Sequence, residues 1–349
     1  MTDVSIYCEH FGLMRPPFEL SPDPAFLFLG EAHREGLATL VYGVQSGKGF
    51  VMLTGEVGTG KTTLLHALLA QLDSNIHSAF IFNPRLEPLD FFRVLFEELE
   101  IKPEGESKAE YLLQLNDFLI QRLRNNERTL LIIDEAQNLS AEMLEEVRLL
   151  SNLETSSSKL IQIMLVGQPE LKEMLRRPDL RQLKQRIALS QHLRPFNESE
   201  MREYIENRLR KAGFTGRRIF KRDALKSIFR FSQGTPRLIN SLCDGSLLLG
   251  FARQKTLIES RMVEEVAADL DLVPDSIGGA EDNPEAASKS RTRRRGIFSL
   301  FRILGCLRVL AKKVTTGCTW DSVLTEPGRL KMCNNTLVPI GRQVGGEEF

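Results

Sequence analysis

The feature that most constrains this chain is the segment at residues 55–63, which reads GEVGTGKTT. It follows the apolar run at residues 50–53 and precedes an apolar-rich stretch that begins at Leu64. A G-x-x-x-x-G-K-[ST] pattern between a strand and a helix is typical of a loop whose backbone N–H groups hold phosphate oxygens. The segment therefore predicts a binding site for a nucleoside triphosphate.

The loop residues have separate expected roles. Its glycines permit backbone conformations and close approaches that a Cβ atom would block. Lys61 is predicted to reach the β- and γ-phosphates, and the Thr62 hydroxyl is predicted to bind Mg²⁺. A glycine-rich turn that binds nothing is the alternative, and the strand and helix on either side disfavour it. The predicted phosphate-binding residues are Gly55, Glu56, Val57, Gly58, Thr59, Gly60, Lys61, Thr62 and Thr63.

Two acids follow the apolar run at residues 129–133, namely Asp134 and Glu135. Open α/β sheets bind ligands at the carboxyl ends of their strands, so we expect these acids beside the loop, on the strand adjacent to it. Asp134 suits the role of holding Mg²⁺, and Glu135 suits a general base that polarises the water attacking the γ-phosphate. An exposed strand end capped by acids is the alternative. The pair favours hydrolysis of the triphosphate over binding alone.

Two further polar residues are candidates for contact with the phosphates. Gln168 follows the predicted strand at residues 161–166, and we expect it to hydrogen-bond the γ-phosphate or the attacking water. A structural role at the strand end is the alternative. Arg237 opens a helix after Gly-Thr-Pro, and we expect it to swing over the phosphates and report the nucleotide state to the helical region. A plain arginine at a helix start is the other interpretation.

The basic segment at residues 181–187 precedes the last predicted strand. Its sharper interpretation is an arginine finger that reaches the γ-phosphate of a neighbouring subunit, where such a residue contributes about 10³-fold or more to the rate. Arg186 is the first candidate and Arg181 the alternate. A solvated helix face is the usual outcome for a run of charges and stays open.

Hydrophobic periodicity predicts an α/β fold, with a parallel sheet between helices, followed by a small all-helical bundle. The predicted strands, each expected to be buried on both faces, are residues 50–54, 78–82, 129–133, 161–166 and 189–193. The predicted helices are residues 62–72, 89–100, 108–124, 141–150, 170–176, 198–212, 221–231, 236–252 and 259–270. The predicted domains are a nucleotide-binding domain at 1–195, a helical lid at 196–272, and a linker with a poorly ordered basic tail at 273–349.

Charge and cysteine content narrow the function classes. Lys and Arg total 46, as do Asp and Glu; from Asp275 onward there are 12 basic and 8 acidic residues, which leaves 34 and 38 for the rest. The mildly acidic body argues against nucleic acid as a partner. The five cysteines contain no C-x-x-C pair, so neither a disulfide framework nor a zinc site is indicated. The N-terminus lacks the pattern of a signal peptide, which predicts a cytoplasmic body.

The tail carries a basic cluster at residues 289–295 and an apolar run at residues 297–310 that Arg302 and Arg308 interrupt. That run is shorter than the roughly 20 residues that a membrane-spanning helix needs. Three interpretations stay open: a segment that lies in the membrane interface, a disordered end, and a degenerate remnant. The first would place the chain peripherally at the inner membrane.

The order of these motifs resembles that of the AAA+ ATPases. Further segments narrow the resemblance to the ExeA/GspA family of bacterial secretion-associated ATPases, and it covers about residues 6–270. The segments that carry it are FGL at 11–13, PF at 17–18, SPDP at 21–24, HREGL at 33–37, VGQPEL at 166–171 and LIN at 238–240.

The resemblance implies ATP and Mg²⁺ as cofactors. It makes Gln168 the sensor 1 residue, Arg186 the finger and Arg237 the sensor 2 residue, with residues 18–40 near the adenine. It also implies a homo-oligomeric ring that remodels or assembles a cell-envelope partner, such as type II secretion, pilus or exosortase-like machinery. Relatives typically continue through a transmembrane helix into a periplasmic part, which the charged apolar run of this tail does not match.

Two other functions stay open beside this one. The first is a DNA-transposition targeting ATPase similar in its core to TniB-type proteins, which the neutral-to-acidic body disfavours. The second is a nucleotide-gated scaffold that does not hydrolyse ATP, against which Glu135 argues.

Overall fold

The structure is a computed structural model that describes residues 6–21, 23–82, 86–156 and 158–272, and the strands at 331–333 and 336–338. Contacts divide the chain into two compact units, Met1–Asp282 and Asn283–Phe349. In the second unit, the described strands pair antiparallel, with Met332 opposite Leu337. These two strands were not predicted from the sequence. The basic cluster and the apolar run of the tail lie outside the described residues, and none of the described helices is long and apolar enough to cross a membrane.

The described elements alternate between strands and helices up to residue 193 and are helical from there to residue 269. The strands are β1 (Phe50–Gly55), β2 (Ile76–Ile81), β3 (Arg128–Ile133), β4 (Ile161–Gly167), β5 (Ile187–Leu193), β6 (Lys331–Cys333) and β7 (Thr336–Val338). The helices are α1 (Cys8–Phe11), α2 (Glu31–Gln45), α3 (Lys61–Leu69), α4 (Pro88–Glu98), α5 (Lys108–Arg124), α6 (Ala141–Leu150), α7 (Glu170–Met174), α8 (Arg181–Arg186), α9 (Glu198–Lys211), α10 (Arg222–Ser232), α11 (Pro236–Ala252) and α12 (Ser260–Asp269).

The first five strands form a parallel sheet in the order β2-β3-β4-β1-β5. The expectation that the acids lie on the strand adjacent to the loop strand is wrong, because β4 separates β1 from β3. Leu53 of β1 pairs with Val166, and Ile133 of β3 pairs with Leu165. Neighbours in a parallel sheet are set by how each crossover helix passes over the sheet, which no local pattern reveals. The order places the end of β4, with Gln168, between the loop and the acids.

Only the three central strands are buried along nearly their whole length. In the edge strand β2 three of the six residues are buried, and in the edge strand β5 only Leu193 is buried, so the prediction of two-sided burial is wrong for both. An edge strand has one free side and is covered less completely by the crossover helices, so Ser190 is exposed, whereas Gln191, on the other face, is half-buried beside Gly36 of α2.

Alternation along the strands divides the sheet's side chains between two cores. Val51 and Leu53 contribute to a core with helices α2 and α3, whereas Phe50 and Met52 contribute to a core with α4, α5 and α6. Successive residues of a strand point to opposite faces, so one apolar run supplies both layers. The sheet is therefore sandwiched by helices, as predicted.

Helix α2 was not predicted from the sequence. It contains Gly36 and Gly43, which lower helix propensity and obscure its periodic pattern. A Cβ on Gly43 would lie 2.9 Å from a Leu189 methyl group and 3.0 Å from one of Val51, so the small residue lets the helix lie close against the sheet. Tertiary packing thus outweighs the local cost.

The N-terminal residues pack in the core of the helical bundle. Tyr7, Phe11 and Phe18 are buried there among residues of helices α9 to α12, and Arg208 of α9 donates a hydrogen bond of 2.6 Å to the carbonyl oxygen of Pro17. These residues were predicted to belong to the nucleotide-binding domain at 1–195, because they precede the sheet in the chain. The residues that they pack against are in the bundle. The division at residue 195 stays a prediction.

The chain crosses between sheet and bundle at two places that lie against each other. Phe26 belongs to the bundle core and α2 to the sheet, while Leu193 belongs to the sheet core and Phe196 to the bundle core. The Glu31 N–H donates to Glu200 Oε1 at 2.6 Å and so ties the first crossing to helix α9.

A close backbone contact fixes the second crossing. The Phe196 N–H donates to the carbonyl oxygen of Gly234 at 3.0 Å. Gly234 has a φ of 75°, and a Cβ there would lie 1.9 Å from the Phe196 carbonyl oxygen. Only glycine fits this position, which sets the start of helix α11 beside the crossing.

Candidate nucleotide-binding site

The loop between β1 and α3 is shaped by its own hydrogen bonds. Buried Thr59 donates from its hydroxyl to the Glu56 carbonyl oxygen at 2.8 Å, which closes the turn. Gly60 caps helix α3 without a side-chain bond. The N–H groups of the first helical turn have no intrahelical partner and lie at the positive end of the helix. The loop therefore has the form that a phosphate chain requires.

Lys61 is 8% exposed, and its Nζ donates to the carbonyl oxygens of Gly55 at 2.8 Å and Glu56 at 3.1 Å. Burial lowers the pKa of Lys61, while the carboxylates of Glu135 and Asp134 act in the opposite direction. The lysine is thus held against the loop, within electrostatic reach of both predicted acids.

Asp134 and Glu135 follow β3 at the carboxyl edge of the sheet, as predicted. Asp134 is 7% exposed, its Oδ1 accepts the Glu135 N–H at 2.8 Å, and burial raises its pKa. Glu135 adopts a left-handed backbone with φ 51° and ψ 38°. Holding a non-glycine residue in such a conformation costs on the order of 1–3 kcal/mol, and residues held in this way are concentrated at functional sites.

Two glutamine amides bind the carboxylate of Glu135. Gln168 Nε2 donates to Glu135 Oε2 at 3.2 Å, and Gln137 Nε2 donates to the same oxygen. Burial raises the pKa of Glu135, but these hydrogen bonds outweigh it and hold the pKa below its ordinary value. The site therefore keeps an ionised carboxylate oriented by neutral donors.

Arg237 lies against the loop through its backbone. Its N–H donates to the Gly58 carbonyl oxygen at 3.2 Å. Gly58 has a φ of 79°, and a Cβ there would lie 2.6 Å from the Arg237 Cβ, so glycine permits this approach. Arg237 is exposed as a whole residue. The bundle thus contacts the phosphate loop directly.

Arg181 and Arg186 are not brought to this site. The residue after Arg186, Ile187, pairs with Phe50 at the start of β1, whereas the loop follows the strand's other end. Six residues of strand at about 3.3 Å each separate the two ends by roughly 20 Å. Arg186 instead donates to Ser151 Oγ and to the Arg148 carbonyl oxygen, and Arg181 is exposed at the start of α8.

The residues predicted to hold Mg²⁺ fit that ion. The Thr62 side chain is exposed at the helix start, and Asp134 Oδ2 has no hydrogen-bond partner among the residues that the structure describes. The described residues contain no cluster of three or more His, Cys, Asp or Glu that could hold a metal. Mg²⁺ is commonly bound through one or two protein oxygens together with water and substrate phosphates.

A cavity of about 210 Å³ lies beside the start of helix α3, at the two crossings. This volume is below the roughly 300–1,000 Å³ of a site for a whole drug-sized ligand, so it suits a ring system rather than a complete nucleotide. It is lined by Asp23, Pro24, Phe26, Leu27, Phe28, His33, Gly60, Thr63, His66, Ala67, Ala70, Phe196, Tyr204, Arg208 and Pro236.

Two side chains of the site, those of Gln137 and His33, were not predicted as site residues in their own right. Gln137 stands two residues after Glu135, and that spacing was the available signal. His33 appeared only within a family segment; it is 3% exposed, its Nε2 lies 2.9 Å from the Thr59 carbonyl oxygen, and its ring lies 4.9 Å from that of Phe196. Since a carbonyl only accepts, Nε2 carries the proton, and burial lowers the pKa of His33.

Comparisons with known proteins found similar sequences and similar folds. The AAA domain family matches residues 44–175. Over 278 aligned residues the chain is 42% identical to "General secretion pathway protein A" of Aeromonas hydrophila. The alignment covers 79% of this chain and 49% of that protein. The chain thus spans about half the length of this curated relative.

Solved structures show the same fold at low identity. The Drosophila ORC bound to DNA aligns with a TM-score of 0.59 at 16% identity, over 78% of this chain and 67% of that one. Cdc6p from Pyrobaculum aerophilum aligns with a TM-score of 0.57 at 17% identity, over 71% of each chain. With the loop, the acids and the polar end of β4 at one sheet edge, the chain belongs to the AAA+ P-loop ATPases as an ExeA/GspA-like protein.

Proposed function

We propose that this chain binds ATP with Mg²⁺ and hydrolyses its terminal phosphate. The observation that carries the proposal is the convergence of Lys61, Asp134, Glu135 and Gln168 at the carboxyl edge of β1, β3 and β4. Lys61 would bind the β- and γ-phosphates, whose negative charge favours its protonated form. Thr62 and Asp134 would hold Mg²⁺, which neutralises charge on the phosphate oxygens when bound.

Glu135 is the proposed base of the reaction. Its carboxylate is ionised and held by two neutral donors, so it can accept a proton from water while its orientation is maintained. Gln168 is proposed to contact the γ-phosphate, and Arg237, which lies against the loop at the start of α11, is proposed to report the presence of the phosphate to the bundle. The cavity beside α3 supports adenine as the nucleobase of the ligand, because the aromatic side chains that line the cavity offer faces on which a ring can stack.

Phosphate release by the purified full-length chain tests the proposal. We expect steady release from ATP that requires Mg²⁺. Tight ATP binding without release would instead support the non-hydrolysing scaffold, and the absence of both would reject nucleotide chemistry altogether.

We further propose that the chain works in a ring and that Arg186 acts on a neighbouring subunit. The geometry supports this, because Arg186 lies at the sheet edge opposite the loop of its own chain. The bonds from Arg186 to Ser151 and Arg148 hold it at the end of α8. Arg181, at the other end of α8, stays the alternate.

The finger hypothesis predicts a turnover per subunit that rises with protein concentration. Arg186→Ala is expected to lower turnover about 10³-fold while ATP still binds, because the finger stabilises only the transition-state charge. Adding the Lys61→Ala chain, which keeps Arg186, should restore part of the activity of the Arg186→Ala chain in mixed assemblies. Lys184→Ala, on the same helix, is the control. Concentration-independent turnover, or a mixture no more active than its parts, would contradict the hypothesis.

The proposed biological role is remodelling or assembly of cell-envelope or secretion machinery from the cytoplasmic side of the inner membrane. Its support is the similarity to a general secretion pathway protein over 79% of this chain. Cross-linking in cells followed by mass spectrometry tests the role. Envelope or secretion proteins among the partners would support it, and transposition proteins in their place would favour the DNA-targeting alternative.

A further inference from the structure

Gln137 connects the ends of two strands. It lies on the short turn Ala136–Asn138, directly after the acids. Its Nε2 donates to Glu135 Oε2, and its Oε1 accepts the backbone N–H of Gln168 at 3.0 Å. A Cβ on Gly167 would lie 2.6 Å from that same Oε1, so the amide lies closely against the end of β4.

The two amides on Glu135 differ in their other attachments. The Gln168 side chain donates to Glu135, and in the proposed reaction the same side chain also contacts the γ-phosphate. Gln137 is anchored to a backbone N–H, whose position does not depend on the rotamer of Gln168. If Gln168 turned toward the phosphate in that reaction, Gln137 would be the amide that remains on the carboxylate.

The backbone of Glu135 gives this contact additional importance. Its left-handed conformation is unfavourable for a residue with a side chain, so surrounding contacts must maintain it. Among the described residues, the backbone is held by the Asp134 carboxylate on its N–H and by the Asn138 N–H on its carbonyl oxygen at 2.9 Å, and the carboxylate is held by the two glutamines. Of the two glutamines, Gln137 alone bonds both this carboxylate and the backbone N–H directly after β4.

We propose that Gln137 is a positioning residue for hydrolysis, which holds the Glu135 carboxylate at the end of β4 while Gln168 contacts the phosphate. The inference rests on the proposed ATPase function and adds a residue to it. Gln137 acts through Glu135 and has no direct role in the chemistry.

Gln137→Met is the principal test, because methionine has a similar length but neither donates nor accepts at that position. We expect kcat for ATP to fall about 10- to 100-fold, as for a displaced catalytic group. The Kd for ATP should stay within about threefold, since no phosphate contact is lost. Gln121→Met, on the exposed side of α5, is the matched control and should change neither value.

A second variant separates the two ends of the side chain. Gln137→Glu keeps an acceptor for the Gln168 N–H but loses the donor to Glu135 and places a like charge beside it. Hydrogen exchange resolved at the Gln168 amide should therefore accelerate in Gln137→Met and stay slow in Gln137→Glu. Turnover should fall in both variants.

Wild-type kcat in Gln137→Met would overturn the proposal, as would a loss of ATP binding in parallel with turnover, which indicates a general structural role. Unchanged exchange at the Gln168 amide in Gln137→Met would also overturn it, because the bridge would then not exist. If the wild-type chain releases no phosphate, the proposed function fails, whereas the exchange measurement still reports on the bridge.

Discussion

Lys61→Ala is expected to abolish ATP binding. The ammonium is buried, and it is held at the loop by two carbonyl oxygens and by the field of Glu135 and Asp134. Truncating one partner of a buried, hydrogen-bonded charge pair costs about 2–5 kcal/mol or more, which corresponds to a loss of affinity of roughly 30-fold to several thousand-fold. Titration calorimetry with ATP and Mg²⁺ measures this loss directly.

Two further variants control for loss of packing. Lys61→Met keeps the apolar part of the side chain and should lose affinity to a similar degree. Lys226→Ala removes an exposed lysine of α10 and should bind as the wild type does. A Kd for Lys61→Ala within threefold of the wild-type value, in a chain that retains its thermal transition, would refute the phosphate role of this residue.

Glu135→Gln should bind ATP and hardly hydrolyse it. The substitution keeps the shape of the side chain and an oxygen that Gln137 and Gln168 can contact, but an amide does not accept a proton from water. General base catalysis contributes about 10²- to 10⁴-fold, so kcat should fall within that range while the Kd changes little. Single-turnover phosphate release and equilibrium binding separate the two quantities.

Glu170→Gln is the matched control for charge. Glu170 is exposed at the start of α7 and also raises the pKa of Lys61, so its neutralisation changes the local field without removing the base. It should leave kcat within about twofold of the wild-type value, because exposed charges are strongly screened. Wild-type turnover in Glu135→Gln would show that another group activates the water.

Much of the secondary structure could be predicted because its signals are local. Helix α5 has the predicted bounds Lys108–Arg124, and a capping box between Ser107 and Glu110 fixes its start. The loop and the acids at the end of β3 were predicted from motifs in which each residue type has a chemical role.

The features that were not predicted depend on contacts between distant parts of the chain. The position of β4 between β1 and β3 follows from crossover paths, and the packing of Phe18 in the bundle follows from a pairing across about two hundred residues, with Phe220. The spacing of Gln137 after Glu135 places it near the acids, but its role depends on its placement against Gly167 and Gln168, which no local pattern shows.

The paired crossings form two connecting arms between sheet and bundle, and the bond from Glu31 to Glu200 ties them to each other. A rotation of the bundle against the sheet would have to change residues 27–30 and residues 194–195 together, because Glu31 and Glu200, which follow these two segments, are bonded to each other. The cavity is lined by Leu27 and Phe28 on one arm and by Phe196 beside the other. If the proposed adenine site is correct, a bound base would contact residues on or beside both arms and would therefore restrain the orientation of the bundle relative to the sheet.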